Sequence, residues 1–343
     1  MLPLVVVEST LSGVILVFSF IGNFLIIVLV FKKPRLDTTT SIYITSLAVT
    51  DFLNACIPGP LFLAALITQK MPYNSVVCNI DGFFIHFLTL VSTSTMALIA
   101  ISRYYCTLKP SRYKIVFSIR RSACYLVSLW TFVALFTWIP VIGGWAEMGF
   151  NPLMACCNWR FSHKTMEMTF TFLVVIIFII GSFLIIAVSY YHVSKCIRQH
   201  NNQVASHQGL SVQEINVTKT FFTLVLSFVV MWLPTFTAVF LFRVALRETY
   251  PRLVGLAVPF FLQANSAVNP WIYGVMNPSF RKKLAQLVKR SSGNQVHCAS
   301  RDRPTTHIEI SRLDTCHREN RSIEQFSPLQ RAHSLASSRS HDI

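Results

Sequence analysis

The sequence predicts an all-α membrane protein: a bundle of seven transmembrane helices followed by a short amphipathic eighth helix. Of its 343 residues, 53% are hydrophobic and only 13% are charged, and the mean hydropathy is +0.52. A soluble globule of that composition would expose most of its apolar surface to water. The apolar residues fall into seven blocks, each with the roughly 20 residues that a helix needs to cross a bilayer. These blocks, the first to seventh spans, are residues 4–31, 38–67, 76–102, 121–143, 165–191, 219–242 and 253–276.

The segments that flank the spans are short at the amino end and long at the carboxyl end. Residues 1–3 are expected outside the cell, and the apolar run from Leu2 has no basic leader and is too long for a cleavable signal. Residues 277–290 are expected to form the amphipathic eighth helix. Residues 291–343 are rich in Ser, Arg, His and Gln, so a disordered cytoplasmic tail is predicted, with serines open to receptor kinases and arrestins. These are Ser334, Ser337, Ser338 and Ser340.

Lys and Arg in the connections between spans predict the orientation. Twelve lie in the first, third and fifth connections, and six lie in the second, fourth and sixth. Because basic residues favour the cytoplasmic side, the amino terminus is expected outside the plasma membrane and the carboxyl terminus inside. This asymmetry and contact with anionic membrane lipids account for the net charge of +16. Nucleic-acid binding is not expected, because the basic residues lie at helix ends.

The third span has a cysteine at one end and an arginine at the other. Cys78 and Arg103 are 25 residues apart, which is about 37 Å along a helix and matches a bilayer with its interfaces. This layout is typical of a helix that reports an outside event to the cytoplasm. Three of the nine cysteines, Cys78, Cys156 and Cys157, are expected outside, where disulfides persist. One bridge from Cys78 to either Cys156 or Cys157 is therefore predicted.

The few polar residues within the spans form a pattern across six helices. Such residues are costly to bury in a membrane, so each is a candidate functional residue. In order, the pattern is Gly22-Asn23, Leu47-Ala48-Val49-Thr50-Asp51, Ser92 with Arg103, Trp130, Trp232-Leu233-Pro234, and Asn265-Ser266 with Asn269-Pro270-Trp271-Ile272-Tyr273. The set resembles the rhodopsin-like family of G-protein-coupled receptors. The resemblance implies a receptor rather than an enzyme, with a small-molecule ligand and a heterotrimeric G protein as partners.

Asp51 is the only carboxylate that the sequence places deep within a span. There it must be protonated, paired or bound to a cation. Ser92, Asn265, Ser266 and Asn269 offer neutral oxygens and amides on neighbouring helices. The resemblance implies a sodium site that favours the resting state, and a purely structural polar network is the alternative. The expected ligands are Asp51, Ser92, Asn265 and Asn269, and no other cofactor is expected.

Two prolines, Pro234 and Pro270, are expected to kink the sixth and seventh spans, because each removes a helical hydrogen bond. The resemblance implies that Trp232 forms the floor of the ligand pocket. It also implies that Tyr273, in the run that begins at Asn269, swings inward on activation. These residues, together with Arg103, are the expected activation switch.

Arg103 is implied to contact the G protein. The family usually has an acidic residue directly before this arginine, but here that residue is Ser102. Glu214, 20 residues before Pro234, matches the acid that links the third and sixth spans in some family members. A Glu214–Arg103 ion pair is therefore the expected restraint on the resting state. A solvated Glu214 at a helix end is the alternative.

The fifth span departs from the family because it lacks the usual proline. Ser182, next to Gly181, occupies that place. The departure removes the sequence signal for the helical bulge that shapes the family's ligand pocket. Tyr190 matches the tyrosine of this span that swings inward on activation, with Tyr191 as the alternative if the register differs by one residue.

Two residues of the expected pocket limit the ligand class. Ile85 stands where amine receptors of the family have an aspartate, so a primary amine would lack its counter-ion. Gln263 stands where opsins have the lysine that binds retinal. A mostly apolar pocket with a few hydrogen-bonding groups favours a neutral or lipid-like ligand, although His86 has an ordinary packing role as an alternative. The other expected pocket residues are His86, Thr89, Val174, Phe178, Trp232, Thr235 and Phe236.

The fourth connection, from Gly144 to Cys157, resembles the branch of melatonin receptors and related orphan receptors. Aligned in that way, Cys157 rather than Cys156 is the partner of Cys78.

Two alternatives to a ligand-activated receptor remain at the level of sequence. One is an opsin relative that is not linked to retinal. The other is a membrane transporter, which would be expected to have an internal repeat and broken helices.

Overall fold

The computed structural model describes residues 2–32, 39–202, 212–242 and 251–276, together with Arg281 and Ala285. Only the backbone is described at residues 2, 200–202, 212–217, 235, 236, 238 and 239. The chain divides into units of residues 1–289 and 290–343, and all described residues belong to the first. Arg281 and Ala285 are helical. The rest of the predicted eighth helix, and the predicted tail with its four serines, lie outside the described residues.

The described residues include α-helices, the π-helical segment Val175–Ile180 and a β-hairpin. The helices that precede the hairpin are α1 (Leu2–Lys32), α2 (Thr39–Cys56), α3 (Pro58–Thr68), α4 (Ser75–Leu108), α5 (Pro110–Val116) and α6 (Ile119–Ile142). The hairpin consists of β1 (Ala146–Asn151) and β2 (Cys156–Phe161). It is followed by α7 (Lys164–Val174), the π-helical segment Val175–Ile180, α8 (Gly181–Asn202), α9 (Val212–Phe240) and α10 (Arg252–Met276).

These helices confirm the predicted seven-helix bundle. The spans are, in order, α1, α2 with α3, α4, α6, α7 to α8, α9 and α10. Within the described ranges, five helical stretches are long and apolar enough to cross a membrane: Pro3–Lys32, Thr39–Thr68, Ser75–Leu108, Ile119–Ile142 and Lys164–Gln199. The sixth span contributes a shorter apolar stretch, Thr218–Pro234. We refer to the two ends of the bundle as the disulfide end and the Arg103 end.

The fifth span has its bulge although it lacks the proline. The segment Val175–Ile180 is π-helical, and the Gly181 N–H donates to the Ile176 carbonyl five residues earlier. Single π-helical turns inside α-helices are frequently found at functional sites. Glycine has no side chain to crowd the widened turn, and Ser182, buried at 5% exposure, takes the place of the missing proline.

Small and polar residues join the first span to the seventh. A Cβ atom built on Gly22 would lie 2.7 Å from the Cβ of Pro270, so only glycine allows this approach. Beside it, the Asn23 Nδ2 donates to the carbonyl oxygen of Ser266 at 3.0 Å. The first and seventh spans, which carry the first and last motifs of the polar pattern, are therefore packed directly against each other.

Candidate functional site

The disulfide end is closed by the hairpin. Cys78 and Cys157 form a disulfide with their Cα atoms 5.5 Å apart, which confirms the predicted bridge and its choice of Cys157. Asn74 fixes the start of α4 one turn before Cys78, because its Oδ1 accepts the Val77 N–H at 3.0 Å. Cys156 is a free thiol at 3% exposure. Burial raises the pKa of this thiol well above its usual value, so it stays neutral and is a poor nucleophile.

Asp81 is a buried carboxylate that sequence analysis missed. It lies one turn below Cys78 on α4 and is 0% exposed. Its Oδ2 accepts the Cys157 N–H at 3.0 Å and the Tyr73 hydroxyl at 3.2 Å. Burial and the neighbouring carboxylate raise the pKa of Tyr73, which keeps that hydroxyl a donor. Asp81 therefore anchors the hairpin to the third span, and its spacing of three residues from Cys78 is the signal that could have revealed it.

The turn between the strands, residues 152–155, enters the position of the expected ligand pocket. We call it the hairpin turn. Asn151 starts it by accepting the Leu153 N–H at its Oδ1, 3.0 Å away. Met154 is then buried at 6% exposure in an apolar cluster that contains Ile85, Trp232 and Leu262. Two expected pocket residues, Ile85 and Trp232, are thus brought together, and the side chain of Met154 packs in the same cluster.

His86 contacts the hairpin rather than an open cavity. Its Nε2 lies 2.8 Å from the Oδ1 of Asn158, and its ring stacks on Trp159 with centroids 3.6 Å apart. One ring face and one ring nitrogen of His86 are therefore occupied by residues of β2. This matches the packing role that the sequence left as an alternative for His86.

The other expected pocket residues are dispersed. Gln263 is 4% exposed, accepts the Ser12 hydroxyl at 2.9 Å and donates to the Gly59 carbonyl at 3.4 Å, so its side chain faces the first and second spans. Phe178 packs on Phe136 of the fourth span at 5.0 Å between ring centroids. Val174 lies in the same cluster as Phe178. Thr89 donates its hydroxyl to the Ile85 carbonyl at 2.6 Å. The side chains of Thr235 and Phe236 lie outside the described residues.

A polar network surrounds Asp51 in the middle of the bundle. Asp51 is 2% exposed, and its Oδ2 accepts the Asn269 Nδ2 at 2.7 Å. The Ser92 hydroxyl and the Oδ1 atoms of Asn54, Asn265 and Asn269 are buried and have no hydrogen-bond partner among the described residues.

The network borders a small internal cavity. The volume of this cavity is about 10 Å³, enough for one water molecule or one small ion. Asp51, Ser92 and Asn265 line this cavity. Asn269 is not among the lining residues, but it donates a hydrogen bond to Asp51. A carboxylate with several unpaired neutral oxygens is a donor set that fits a hard cation such as sodium.

Arg103 is held without a carboxylate among the described side chains. It is 4% exposed, and its Nη2 donates to the Thr40 Oγ1 at 2.7 Å and to the Tyr113 hydroxyl at 3.4 Å. Its Cζ lies 5.4 Å from the ring centroid of Phe221, within cation–π distance. We call Thr40, Tyr113 and Phe221 the Arg103 clamp. The side chain of Glu214 lies outside the described residues, so the Glu214–Arg103 pair stays a prediction.

The two predicted tyrosine switches lie near this clamp. Tyr273 is 2% exposed and its ring centroid is 6.4 Å from that of Phe221. Tyr190 is 5% exposed and packs edge-on against Phe222 at 5.4 Å, whereas Tyr191 is 66% exposed. The observed burial favours Tyr190 over Tyr191 as the inward-facing residue of the fifth span.

Comparison with known proteins agrees with this arrangement. The family model "7 transmembrane receptor (rhodopsin family)" matches residues 22–273. Melatonin receptor type 1A of Ovis aries is 24% identical over 290 residues, covering 82% of this chain and 77% of the relative. Histamine H2 receptor of Homo sapiens is 26% identical over 289 residues, covering 81% and 78%. The crystal structure of squid rhodopsin has the same fold, with a TM-score of 0.72, 21% identity and 90% coverage of each chain.

The family match extends over most of the chain and includes the residues of the polar pattern from Gly22 to Tyr273. It identifies a multi-pass plasma-membrane receptor rather than an enzyme, and it is a different class of protein from the transporter that the sequence left as an alternative. The chain belongs to the rhodopsin family of seven-transmembrane receptors, that is, the class A G-protein-coupled receptors.

Proposed function

We propose that this receptor binds a small neutral or lipid-like molecule at its disulfide end and activates a heterotrimeric G protein at its Arg103 end. Two observations support this orientation: disulfides persist outside the cell, and basic residues are in excess in the connections at the Arg103 end. In this orientation the amino terminus is extracellular. Receptor kinases and arrestins are further proposed partners, through the serines of residues 291–343.

One continuous buried face of α9 carries the proposal. Trp232, Phe228, Leu224 and Phe221 follow one another at helical spacing, and each is at most 2% exposed. They extend about 16 Å along the helix, from the cluster under the hairpin turn to the ring beneath the Arg103 guanidinium. Close-packed interiors have low compressibility and transmit strain. A ligand that moves Trp232 is therefore linked mechanically to the arginine.

The ligand class follows from the side chains around Trp232. Ile85, at 8% exposure, lies in the cluster where an amine ligand would need a carboxylate. A cation buried there would be uncompensated, which is strongly unfavourable. A neutral molecule with a large apolar surface is favoured instead, and it would take the place of Met154.

The decisive experiment is a panel of G-protein biosensors, run first without ligand and then with indoles, fatty acids and lipid mediators. We expect Arg103→Ala to abolish activation of every responding G protein at matched surface expression, because the guanidinium is the proposed contact. Arg120→Ala removes an exposed arginine at the same end and is expected to keep most of the signal. Equal signalling by wild type and Arg103→Ala would refute coupling through Arg103.

We also propose that sodium binds at Asp51, with oxygens from Ser92 and Asn265 beside it and Asn269 orienting the carboxylate. When bound, the ion supplies the positive charge that this buried carboxylate lacks among the described residues. The unpaired oxygens around the cavity then gain a partner, which stabilises the packing of the second, third and seventh spans. Because such binding is linked to one arrangement of these spans, it would favour the resting state.

Replacing sodium chloride with choline chloride at constant ionic strength is expected to lower the Tm of the purified receptor. Each kcal/mol of linked binding corresponds to a shift of about 2–4 °C. Asp51→Asn should remove the difference between the two salts, and Ser92→Ala should reduce it. A sodium-dependent shift that persists unchanged in Asp51→Asn would place the ion elsewhere, and the network would then be purely structural.

A further inference from the structure

A second cavity lies at the Arg103 end, between α8 and α9, away from both the hairpin and the Asp51 network. It is a groove of about 620 Å³, a size in the range of small-molecule sites. Its walls are formed by the fifth and sixth spans. Three of its side chains, Tyr191, Leu226 and Phe222, are 66%, 49% and 44% exposed, so the groove opens on the outer surface of the bundle. That surface faces lipid in a membrane.

The groove is apolar at one end and basic at the other. Ile186, Val225 and Val229 line the end nearer the middle of the membrane. Lys195 and Arg198 line the end nearer the cytoplasm, and both are exposed. Neither forms an ion pair or hydrogen bond with another side chain in the described part of the chain. Two positive charges are therefore available to an anionic group in the groove.

The groove crosses the cytoplasmic end of the fifth span. On α8 its lining extends from Ile186 to Gln199, which is about 20 Å along the helix. Ile186 lies within the predicted span, which ends at residue 191, and Lys195 and Arg198 follow about one and two turns beyond that end. The lining residues recur every three or four positions, so they form one stripe on the helix. A molecule that fills the stripe needs an apolar part within the membrane and an anionic group at the membrane surface.

We infer that this groove binds one anionic phospholipid of the cytoplasmic leaflet, with an acyl chain against Ile186, Val225 and Val229 and the phosphate at Lys195 and Arg198. The inference rests on the proposed function for its orientation, since anionic lipids are concentrated in the cytoplasmic leaflet. Tyr190 also lines the groove. A lipid that contacts both walls makes contacts that depend on the distance between the fifth and sixth spans, so its binding is coupled to the separation of these two helices.

The test measures lipid retention by native mass spectrometry of the purified full chain, titrated with phosphatidylserine or with phosphatidylcholine of the same acyl chains. Wild type is expected to retain one phosphatidylserine in preference to phosphatidylcholine. Lys195→Gln with Arg198→Gln is expected to weaken this binding about 30-fold, as the loss of two interfacial basic residues predicts. Lys114→Gln with Arg120→Gln removes the same charge from exposed positions at the same end and should leave the preference unchanged.

A second variant tests the apolar half without changing charge. Ala187 lines the groove, and Ala187→Phe is expected to fill it and to reduce phosphatidylserine retention severalfold. Glycerophosphoserine, which has no acyl chains, should not compete with the lipid. Equal loss in both double variants, full retention in Ala187→Phe, or competition by glycerophosphoserine would each overturn the inference. Because the assay contains no G protein, a failure here leaves the proposed coupling untouched, and a receptor that retains the lipid but activates no G protein contradicts only the coupling.

Discussion

Cys157→Ala and Cys78→Ala are each expected to remove most of the receptor from the cell surface, whereas Cys156→Ala should leave surface expression close to wild type. The bridge joins residues separated by 79 positions, and removing a native disulfide that closes a long loop typically costs about 2–5 kcal/mol. Its loss also frees the hairpin that presents the Cys157 N–H to Asp81. Cys156 is a buried small hydrophobe, so its truncation costs about 1 kcal/mol.

Flow cytometry of an epitope-tagged receptor and the Tm of the solubilised protein measure these effects. Cys156→Ala is the matched control, because it removes the neighbouring sulfur from the same strand. If Cys156→Ala lowered expression as much as Cys157→Ala, the thiol would have a role beyond packing. An intact wild-type level in Cys78→Ala would mean that Asp81 alone is sufficient to anchor the hairpin.

Thr40→Val is expected to raise ligand-independent G-protein activation about tenfold or more. Arg103 is only 4% exposed while the Arg103 clamp holds it, so a partner protein can reach the guanidinium only after the clamp releases it. The bond to Thr40 is 2.7 Å long. A hydrogen bond to a charged group contributes about 1.5–3 kcal/mol, and each 1.4 kcal/mol is about tenfold in population. Valine has the shape of threonine without the hydroxyl.

Two controls separate the clamp from general disturbance of the second span. Thr45→Val removes a hydroxyl of the same helix whose one hydrogen bond among the described residues is to the Ser41 carbonyl, at 2.8 Å. It is expected to leave basal activity unchanged. Tyr113→Phe should raise activity less than Thr40→Val, since its bond is 3.4 Å long. Basal activation is read from biosensors at matched surface expression.

The clamp and the predicted Glu214 ion pair make different predictions. If Glu214→Ala raised basal activity and Thr40→Val did not, the ion pair would be the restraint and the clamp would be incidental. Ser102→Asp is expected to lower basal activity in either case, because it places a carboxylate beside Arg103. Ser102 is 0% exposed, so a carboxylate at this position would be shielded from water and stabilised mainly by the Arg103 guanidinium.

Sequence alone predicted the spans well because a membrane imposes a long apolar run on each of them. It also predicted the Asp51 network, since polar residues within such runs are rare and conspicuous. It did not predict the occupants of the pocket. Gln263 stands where opsins have the lysine that binds retinal, but its partners, Ser12 and Gly59, are far away in the sequence and become neighbours only through helix packing.

The neutral clamp on Arg103 was missed for a related reason. The sequence shows that an acid is absent at position 102, but it does not show which uncharged hydroxyls replace it. Thr40 is an ordinary residue near the start of α2, and nothing local marks it as a partner of Arg103. The π-helical segment was also not predicted, because the proline that usually signals it is missing. The widened turn depends instead on how Gly181 and Ser182 pack.

The hairpin turn has a kinetic consequence for any ligand of this receptor. Met154 is packed into the cluster around Trp232, and the strands that carry it are fastened by the disulfide and by Asp81. A ligand at the proposed site beside Trp232 must therefore wait for the turn to withdraw. If the withdrawn form were about one molecule in a hundred, the apparent affinity and the association rate would both be about 100-fold lower than the contacts alone allow. Because the affinity and the association rate fall by the same factor, the dissociation rate is unchanged, so the hairpin would set how fast a response begins and the ligand's contacts would set how long it lasts.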